Sequence, residues 1–226
     1  MKKPFEVIFE DEYLIVIDKI AKLVVQPSPK KEKNTLTSVL ERTVKVKLYP
    51  CHRLDKETTG LIIYAKSKTI QKEFMEKFKK GQVKKKYFAF VKDKLKKKKG
   101  FFEGYILDKE GRRFGEKPKK AKTFYRVLKE YLNFSIVELE PFTGRRNQLR
   151  IQLARIGNPI LGEDKYAFRR DFQVNFRRLA LHAFFISFIH PVSGNRIDLR
   201  IDLPQDMKDF LRLHKISYPL LSEKIK

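Results

Sequence analysis

Alternation and helical spacing divide the chain into short elements. Phe5-Glu6-Val7-Ile8-Phe9 and Leu14-Ile15-Val16-Ile17 read as two strands around the polar Glu10-Asp11-Glu12, which predicts an opening hairpin. Thr35 stands where the cap of a short helix belongs, with Leu36, Val39 and Leu40 on one face, and Gly60 to Ala65 reads as an apolar strand. Ile70, Phe74 and Phe78 recur every four residues ahead of Gly81, the spacing and terminator of a helix. From Lys86 to Pro141 the pattern is strand-like throughout, with turns expected at Lys99-Gly100, Glu110-Gly111 and Tyr131 to Asn133, which predicts a sheet meander. A second helix fits Arg146 to Ile156, with Leu149, Leu153 and Ile156 on its apolar side and Gly157-Asn158-Pro159 ending it. Leu179 to Ile189 is a strand, and a last helix fits Gln205 to Leu213 after Pro204. With no internal repeat and no Ser/Gly/Pro-rich linker, the economical reading is one α+β domain over residues 1–226, with 92–99 and 108–120 as long basic loops.

Composition narrows the class. A chain of 226 residues, 42% hydrophobic, can bury roughly 70–75% of its unfolded surface without a metal or disulfide staple, and the single Cys51 cannot close an intrachain bridge. The longest nearly apolar stretch, Leu179 to Ile189, is broken by His182 and Ser187 and falls short of the ~20 residues of a membrane helix. Acids appear in Met-Lys-Lys-Pro-Phe-Glu-Val-Ile-Phe-Glu-Asp before any apolar run, so no secretory signal and no membrane association are expected, and the chain reads as cytoplasmic.

Charge changes the picture most. There are 52 basic side chains against 27 acidic ones, a net +25. Eleven lysines face Asp93 alone between Lys79 and Lys99, and nine basic residues face Glu110 and Glu116 between Lys109 and Lys129, so about two thirds of the net charge sits in two stretches. A field so concentrated favours a polyanion, because each Lys–phosphate contact releases a counterion, and nucleic acid is the obvious partner. Lysine-rich faces also serve solubility alone, and Lys96 to Lys99 is open to either reading.

Candidate chemistry lies in Cys51-His52-Arg53-Leu54-Asp55-Lys56-Glu57-Thr58-Thr59-Gly60, a polar stretch entering the apolar Leu61-Ile62-Ile63-Tyr64. Arg53 and Lys56 beside Asp55 favour an ionised carboxylate, available as nucleophile or base, although most such residues are surface ion pairs or caps. No second cysteine and no spaced histidine pair completes a tetrahedral shell around Cys51 and His52, so no metal is expected.

The segment His52-Arg53-Leu54-Asp55-x-x-Thr58-Thr59-Gly60 resembles the signature of the RluA family of RNA pseudouridine synthases. Further matches follow in that family's order: Glu10 to Lys19, Lys85-Lys86-Tyr87-Phe88-Ala89-Phe90-Val91, Thr143-Gly144-Arg145-Arg146-Asn147-Gln148-Leu149-Arg150 running into Gly157 to Gly162, and Leu181-His182-Ala183 running to His190-Pro191. The resemblance covers nearly the whole chain. It implies an α+β domain with a mixed, mostly antiparallel sheet flanked by helices, and an isomerase that detaches uracil from ribose, turns it and rejoins it through carbon 5, with no cofactor. Asp55 falls on the family's nucleophile, Tyr87 on its active-site tyrosine, suited to stacking on the flipped base and assisting removal of the carbon-5 proton, and Arg150 on the arginine that pairs with the nucleophile. Arg53 falls on an arginine that fills the gap left by the flipped nucleotide, and Leu181 on an apolar residue of the uracil pocket. His52, Arg145, Arg146, Asn147 and Gln148 join the RNA-binding set, the last four at the start of a helix where phosphate is favoured. Read without the family, Tyr87 is half-buried strand, Arg150 a solvated helix arginine, Arg53 a phosphate contact or ion pair, and Leu181 core.

The chain departs from the family in two places. Lys19-Ile20-Ala21-Lys22 stands where Lys-Pro-Ala-Gly is usual, and Asn147 and Gln152 stand where histidines are common. The expected partner is structured RNA, large-subunit ribosomal or transfer RNA, with the chain a monomer and a short form lacking an N-terminal accessory RNA-binding domain. Two other readings compete: a non-catalytic RNA-binding protein that kept the fold, against which the retained Asp55, Tyr87 and Arg150 argue, and a nuclease or glycosidase using Asp55 with Glu57. Nothing marks a metal site, which weakens the last.

Overall fold

The computed structural model describes residues 4–27, 34–107, 117–168 and 172–216. The opening hairpin forms from β1 (Phe5–Glu10) and β2 (Leu14–Lys19), with the Asp11 carboxylate accepting from the amides of Tyr13 and Leu14 to close the turn. Helix α1 (Leu36–Val44) begins at Thr35, whose hydroxyl accepts from the Ser38 amide while the Ser38 hydroxyl accepts from the Thr35 amide, a reciprocal cap. After the two-residue β3 (Tyr49–Pro50) and the fully buried β4 (Thr59–Ala65), α2 (Lys68–Lys79) lays Ile70 and Phe74 on the sheet, Phe74 edge-on to Phe188 at 5.1 Å between centroids. Burying such side chains is worth roughly 1.5–3 kcal/mol each.

The remaining strands are β5 (Lys84–Lys92), β6 (Lys99–Ile106), β7 (Lys119–Glu130), β8 (Phe134–Pro141), β9 (Leu181–Ile189) and β10 (Arg196–Arg200), with α3 (Gln148–Arg155) after β8 and α4 (Gln205–Leu213) last. They join one ten-stranded sheet in the order β1-β2-β4-β9-β5-β8-β7-β6, with β3 on β4 and β10 on β9. Every pairing is antiparallel except β4 with β9, where Thr59 and Gly60 run parallel to His182 and Ala183.

Residues 86–141 are not the simple meander expected: β6, β7 and β8 are successive neighbours, but β5 pairs with β8 and β9. Burial explains the exchange. Tyr87 to Val91 are buried without alternation, as a central strand requires, whereas β6 alternates exposed and half-buried positions as an edge strand does. Lys99-Gly100 is likewise inside β6 rather than a turn. The turn lies at 93–98, opened by Asp93 at φ 55°, and Gly100 leaves room for the Tyr125 ring, 3.2 Å from where a Cβ would sit. The expected turn at Glu110-Gly111 and most of the 108–120 loop lie outside the described residues.

Helix α3 starts at Gln148, two residues later than the pattern implied, because Asn147 takes a left-handed φ of 51°. Ile156, expected on its apolar side, is exposed, and the buried face is Leu149, Ile151, Leu153, Gln148 and Gln152. The two glutamines are admitted because the sheet satisfies them: Gln152 accepts from the Thr123 hydroxyl at 2.7 Å and donates to the Phe102 carbonyl at 3.1 Å.

Candidate active site

Residues 51–58 leave β3 and re-enter the sheet as β4, and buried side chains hold them from behind. The Cys51 amide donates to the Ile63 carbonyl, and the Ile63 amide donates back to His52 Nε2 at 3.1 Å, so His52 braces the loop with its ring against Phe78. Burial pushes its imidazole down to about 3, with Lys85 adding to the effect, so it is neutral. Cys51 is buried and its thiol is pushed up to about 12, so no reactive thiolate is present. At the far end of the loop, Gly60 sits at φ +113° against β9, where a Cβ would lie 2.3 Å from the Ala183 carbonyl oxygen, so only glycine permits the parallel register. Beside it Thr59 shares a 2.8 Å hydrogen bond with His182 Nδ1.

Two buried cations fix the backbone just after Asp55. Lys19, with no exposed surface, donates to the carbonyls of Ile20, Leu23 and Lys56 at 2.8, 2.9 and 3.1 Å. Arg178 forms a fork with Asp206 at 2.6 and 2.7 Å and donates to the carbonyls of Leu179 and Glu57. Burial pushes the Lys19 ammonium down to about 7, against the attraction of Glu57, Asp55 and Asp18.

The loop forms one wall of a cleft of about 430 Å³. Asp55, Arg53, His52 and Leu54 line it from one side, Tyr87 and Lys85 from β5, Leu181 from β9, and Thr143 through Arg150 from the turn before α3 and its first residues. The structure therefore brings every expected site residue to one cavity. Tyr87 is buried, and burial followed by the Asp55 charge pushes its hydroxyl above the usual 10, so it is a hydrogen-bond donor at neutral pH. Arg150 also feels the Asp55 charge, but its fork closes on Glu163, at 2.7 and 2.6 Å, with Asp164 at 3.5 Å. Burial opposes both charges of this pair. The hydrogen bonds and mutual attraction overcome it, holding the Glu163 carboxyl below its ordinary range and the Arg150 guanidinium above its own.

Within the expected RNA-binding set the structure separates two kinds of residue. Arg53, Arg145 and Arg146 are exposed on the rim. Gln148 is buried, its oxygen accepting from the Thr143 hydroxyl and the Arg145 amide while its nitrogen donates to the Lys122 carbonyl and the Thr123 hydroxyl. Asn147, also buried, donates to the Tyr166 hydroxyl at 3.0 Å and accepts from Arg150.

A model of the RNA pseudouridylate synthase family matches residues 13–155, well over half of the chain. The chain belongs to that family. Ribosomal large subunit pseudouridine synthase D of Zymomonas mobilis is 30% identical over 242 residues, spanning 95% of this chain and 74% of its own. The protein of that name from Nitrosomonas europaea is 33% identical over 228 residues, 92% of this chain and 65% of its own. Among solved structures, Human RNA Pseudouridylate Synthase Domain Containing 4 superposes with a TM-score of 0.77 at 27% identity, covering 94% of each chain. Pseudouridine synthases are isomerases, and the ten-stranded mixed sheet with few helices is their α+β fold.

In this pseudouridine synthase the sequence pointed to the loop and to Arg150 but not to the residues that hold them. Glu163 directly follows the Gly157 to Gly162 match, and Lys19 and Arg178 reach the loop from strand ends far along the chain. Lys85 carries a cation into the cleft beside Tyr87, its Nζ 5.0 Å over the Phe78 ring, and burial pushes it down to about 8. Among the described residues, no group of three or more His, Cys, Asp or Glu could hold a metal ion, and no helix is long and apolar enough to cross a membrane.

Proposed function

We propose that the chain, acting as one catalytic domain, isomerises uridines in structured RNA by flipping the target base into the cleft and attacking it through Asp55. The observation that carries this reading is the convergence of Asp55, the buried Tyr87 and Arg150, itself held by Glu163, on one cavity among cationic rim residues. Asp55 forms a transient covalent adduct, either on the uracil ring as its 5,6 double bond opens or on the anomeric carbon as the bond to uracil N1 breaks, and the adduct is released as carbon 5 bonds to the anomeric carbon and loses its proton, steps that need no metal or redox cofactor. Arg150 favours the ionised form of that carboxylate through its charge, and Glu163 fixes the guanidinium in the wall of the cleft. Tyr87 stacks on the base, and its protonated hydroxyl relays the carbon-5 proton. Leu181 supplies the apolar wall, Arg53 fills the space the base vacates, and Arg145 and Arg146 take phosphates. His52, Asn147 and Gln148 act as braces of the cleft walls.

Large-subunit ribosomal RNA is the favoured substrate, since several relatives of about 30% identity over nearly the whole chain, those of Zymomonas mobilis and Nitrosomonas europaea among them, carry the large ribosomal subunit in their names. The test is release of tritium from carbon 5 of labelled uridine in unmodified bulk ribosomal RNA and bulk transfer RNA, with wild type beside Asp55→Ala. Wild-type release from ribosomal RNA, abolished in the mutant while RNA affinity stays within about a few-fold, is expected. Residual activity in Asp55→Ala refutes the nucleophile, release from transfer RNA alone refutes the substrate, and RNA binding without release favours a non-catalytic binding protein.

A further inference from the structure

The outward face of β6 and β7 carries aromatic rings that the core does not use. Phe101 is 52% exposed and Phe142, just past β8, is 54% exposed. Phe101 lies against Phe124, across the strand pair, with centroids 5.3 Å apart and against Phe142 at 6.2 Å. Lys122 sets its Nζ 4.5 Å over the Phe101 ring and 2.6 Å from the Glu103 carboxylate, which holds one edge of the cluster in place. On the other face of β6 Phe102 stacks on Tyr125 at 4.3 Å, so packing is served there. Exposed phenylalanines on an edge strand are an aggregation liability that a fold has no reason to keep.

The cluster is also continuous with the active cleft. The Phe142 amide donates to the Lys122 carbonyl at 2.9 Å and the Lys122 amide donates to the Thr143 hydroxyl at 3.0 Å, and Thr143 and Gly144 line the cleft. A second depression of about 130 Å³, lined by Phe142, Lys84 and Glu140, shares Phe78, Lys85 and Thr143 with the cleft. Rings beside cations that lead into a base-binding cavity match what unpaired nucleotides require: faces on which any base stacks and charge that follows the backbone.

We propose that Phe101, Phe124 and Phe142 form a stacking platform for unpaired nucleotides flanking the target uridine, entered from the cleft around the end of β8. Lys84, Lys99 and Lys122 meet the phosphates, and the platform is blind to base identity, because every base offers a π-face. A paired helix cannot use it, since its bases are already stacked. It extends the RNA-bound length beyond the flipped base and favours targets in loops over targets in continuous duplex.

The inference rests on the reading that the chain works on RNA, and its test keeps the two apart. The chain has no tryptophan, so Phe101→Trp installs a single indole reporter. A short single-stranded oligouridine is expected to quench it, and a blunt RNA duplex of equal length to leave it unchanged. In the Phe101→Ala, Phe142→Ala double variant, oligouridine affinity is expected to fall roughly 5- to 100-fold per stacked base lost, with an unchanged salt slope because no phosphate contact goes. An unquenched indole and unchanged affinity, in protein that still releases tritium, overturn the platform alone. Quenching without release from any RNA overturns the catalytic reading and leaves the platform standing. Dissociation of a wild-type dimer by the double variant, seen by sedimentation without RNA, overturns the platform in favour of an interface between copies.

Discussion

Glu163→Gln tests how the arginine of the cleft is held. The Glu163 side chain has no exposed surface and accepts four hydrogen bonds: two from Arg150 at 2.7 and 2.6 Å, and two from the amides of Lys165 and Tyr166 at 2.9 and 3.2 Å. Glutamine keeps the shape but turns a donor toward donors and leaves Arg150, itself 11% exposed, without its principal counter-charge. Removing one partner of a buried ion pair costs about 3–5 kcal/mol. The low end applies, because Asp164 at 3.5 Å and the Asp55 charge still face the guanidinium. At roughly 2–4 °C per kcal/mol for a domain of this size, calorimetry at pH 7 should show Tm lower by roughly 6–12 °C.

The acid limb checks the same reasoning independently. Arg150 and two amides hold the Glu163 carboxyl below its ordinary range in the folded state, despite burial acting the other way. A depressed folded pKa contributes stability that is fully present above the unfolded value, about 4.3, and is lost as pH falls through the folded value. The Tm gap between wild type and Glu163→Gln should therefore be constant near neutrality and close on acidification below about pH 4. A Tm loss under about 2 °C, or a gap that widens in acid, refutes Glu163 as the group that neutralises Arg150. Tritium release should fall as well, because the guanidinium that lines the cleft is no longer held in place by Glu163.

Three further outcomes are expected. Lys85 sits in the cleft with its ammonium pushed down to about 8 by burial, so its charge is present below that pH and lost above it; RNA affinity measured by anisotropy should weaken as pH rises through 8, and Lys85→Arg should flatten that limb. Tyr87→Phe should leave RNA affinity unchanged and lower kcat by about 10²–10⁴, the contribution of a positioned proton-transfer group, whereas a loss under about tenfold would confine Tyr87 to stacking. Lys22 holds a left-handed φ of 67° where the family usually has glycine; Lys22→Gly should relieve roughly 1–2 kcal/mol of strain less about 0.5–1 of chain entropy, and raise Tm by roughly 1–4 °C.

The parts of this molecule that were legible in the sequence are those whose cause is local. Thr35 caps its helix through the amide three residues ahead, and Ile70 and Phe74 lie on one face by the pitch of the helix alone. The exchange of a meander for a central β5 was also present, as unbroken burial-type residues from Tyr87 to Val91 against alternation in β6, but strand order depends on which strands need two neighbours, a property of the whole sheet. Gln148 shows the opposite failure. A glutamine beside two arginines reads as a phosphate donor, yet the Thr143 hydroxyl and the Thr123 hydroxyl consume it within the protein.

Least legible were the charges that hold the site, because each acts on a backbone carbonyl far along the chain. Lys19 reaches Lys56 across 37 positions and Arg178 reaches Glu57 across 121. A carbonyl is present at every residue, so nothing in the composition of either segment marks the pairing. Lys19 also explains how the chain tolerates the loss of proline and glycine after β2. Its ammonium binds the carbonyls of Ile20 and Leu23, closing by hydrogen bonds the turn that a rigid ring would otherwise close, and the same group then spans to the loop of Asp55. Turn and the loop of Asp55 thus share one buried lysine nitrogen that three carbonyls surround. A substitution at Lys19 disturbs both together, whereas the Lys22 strain can be relieved without touching the site.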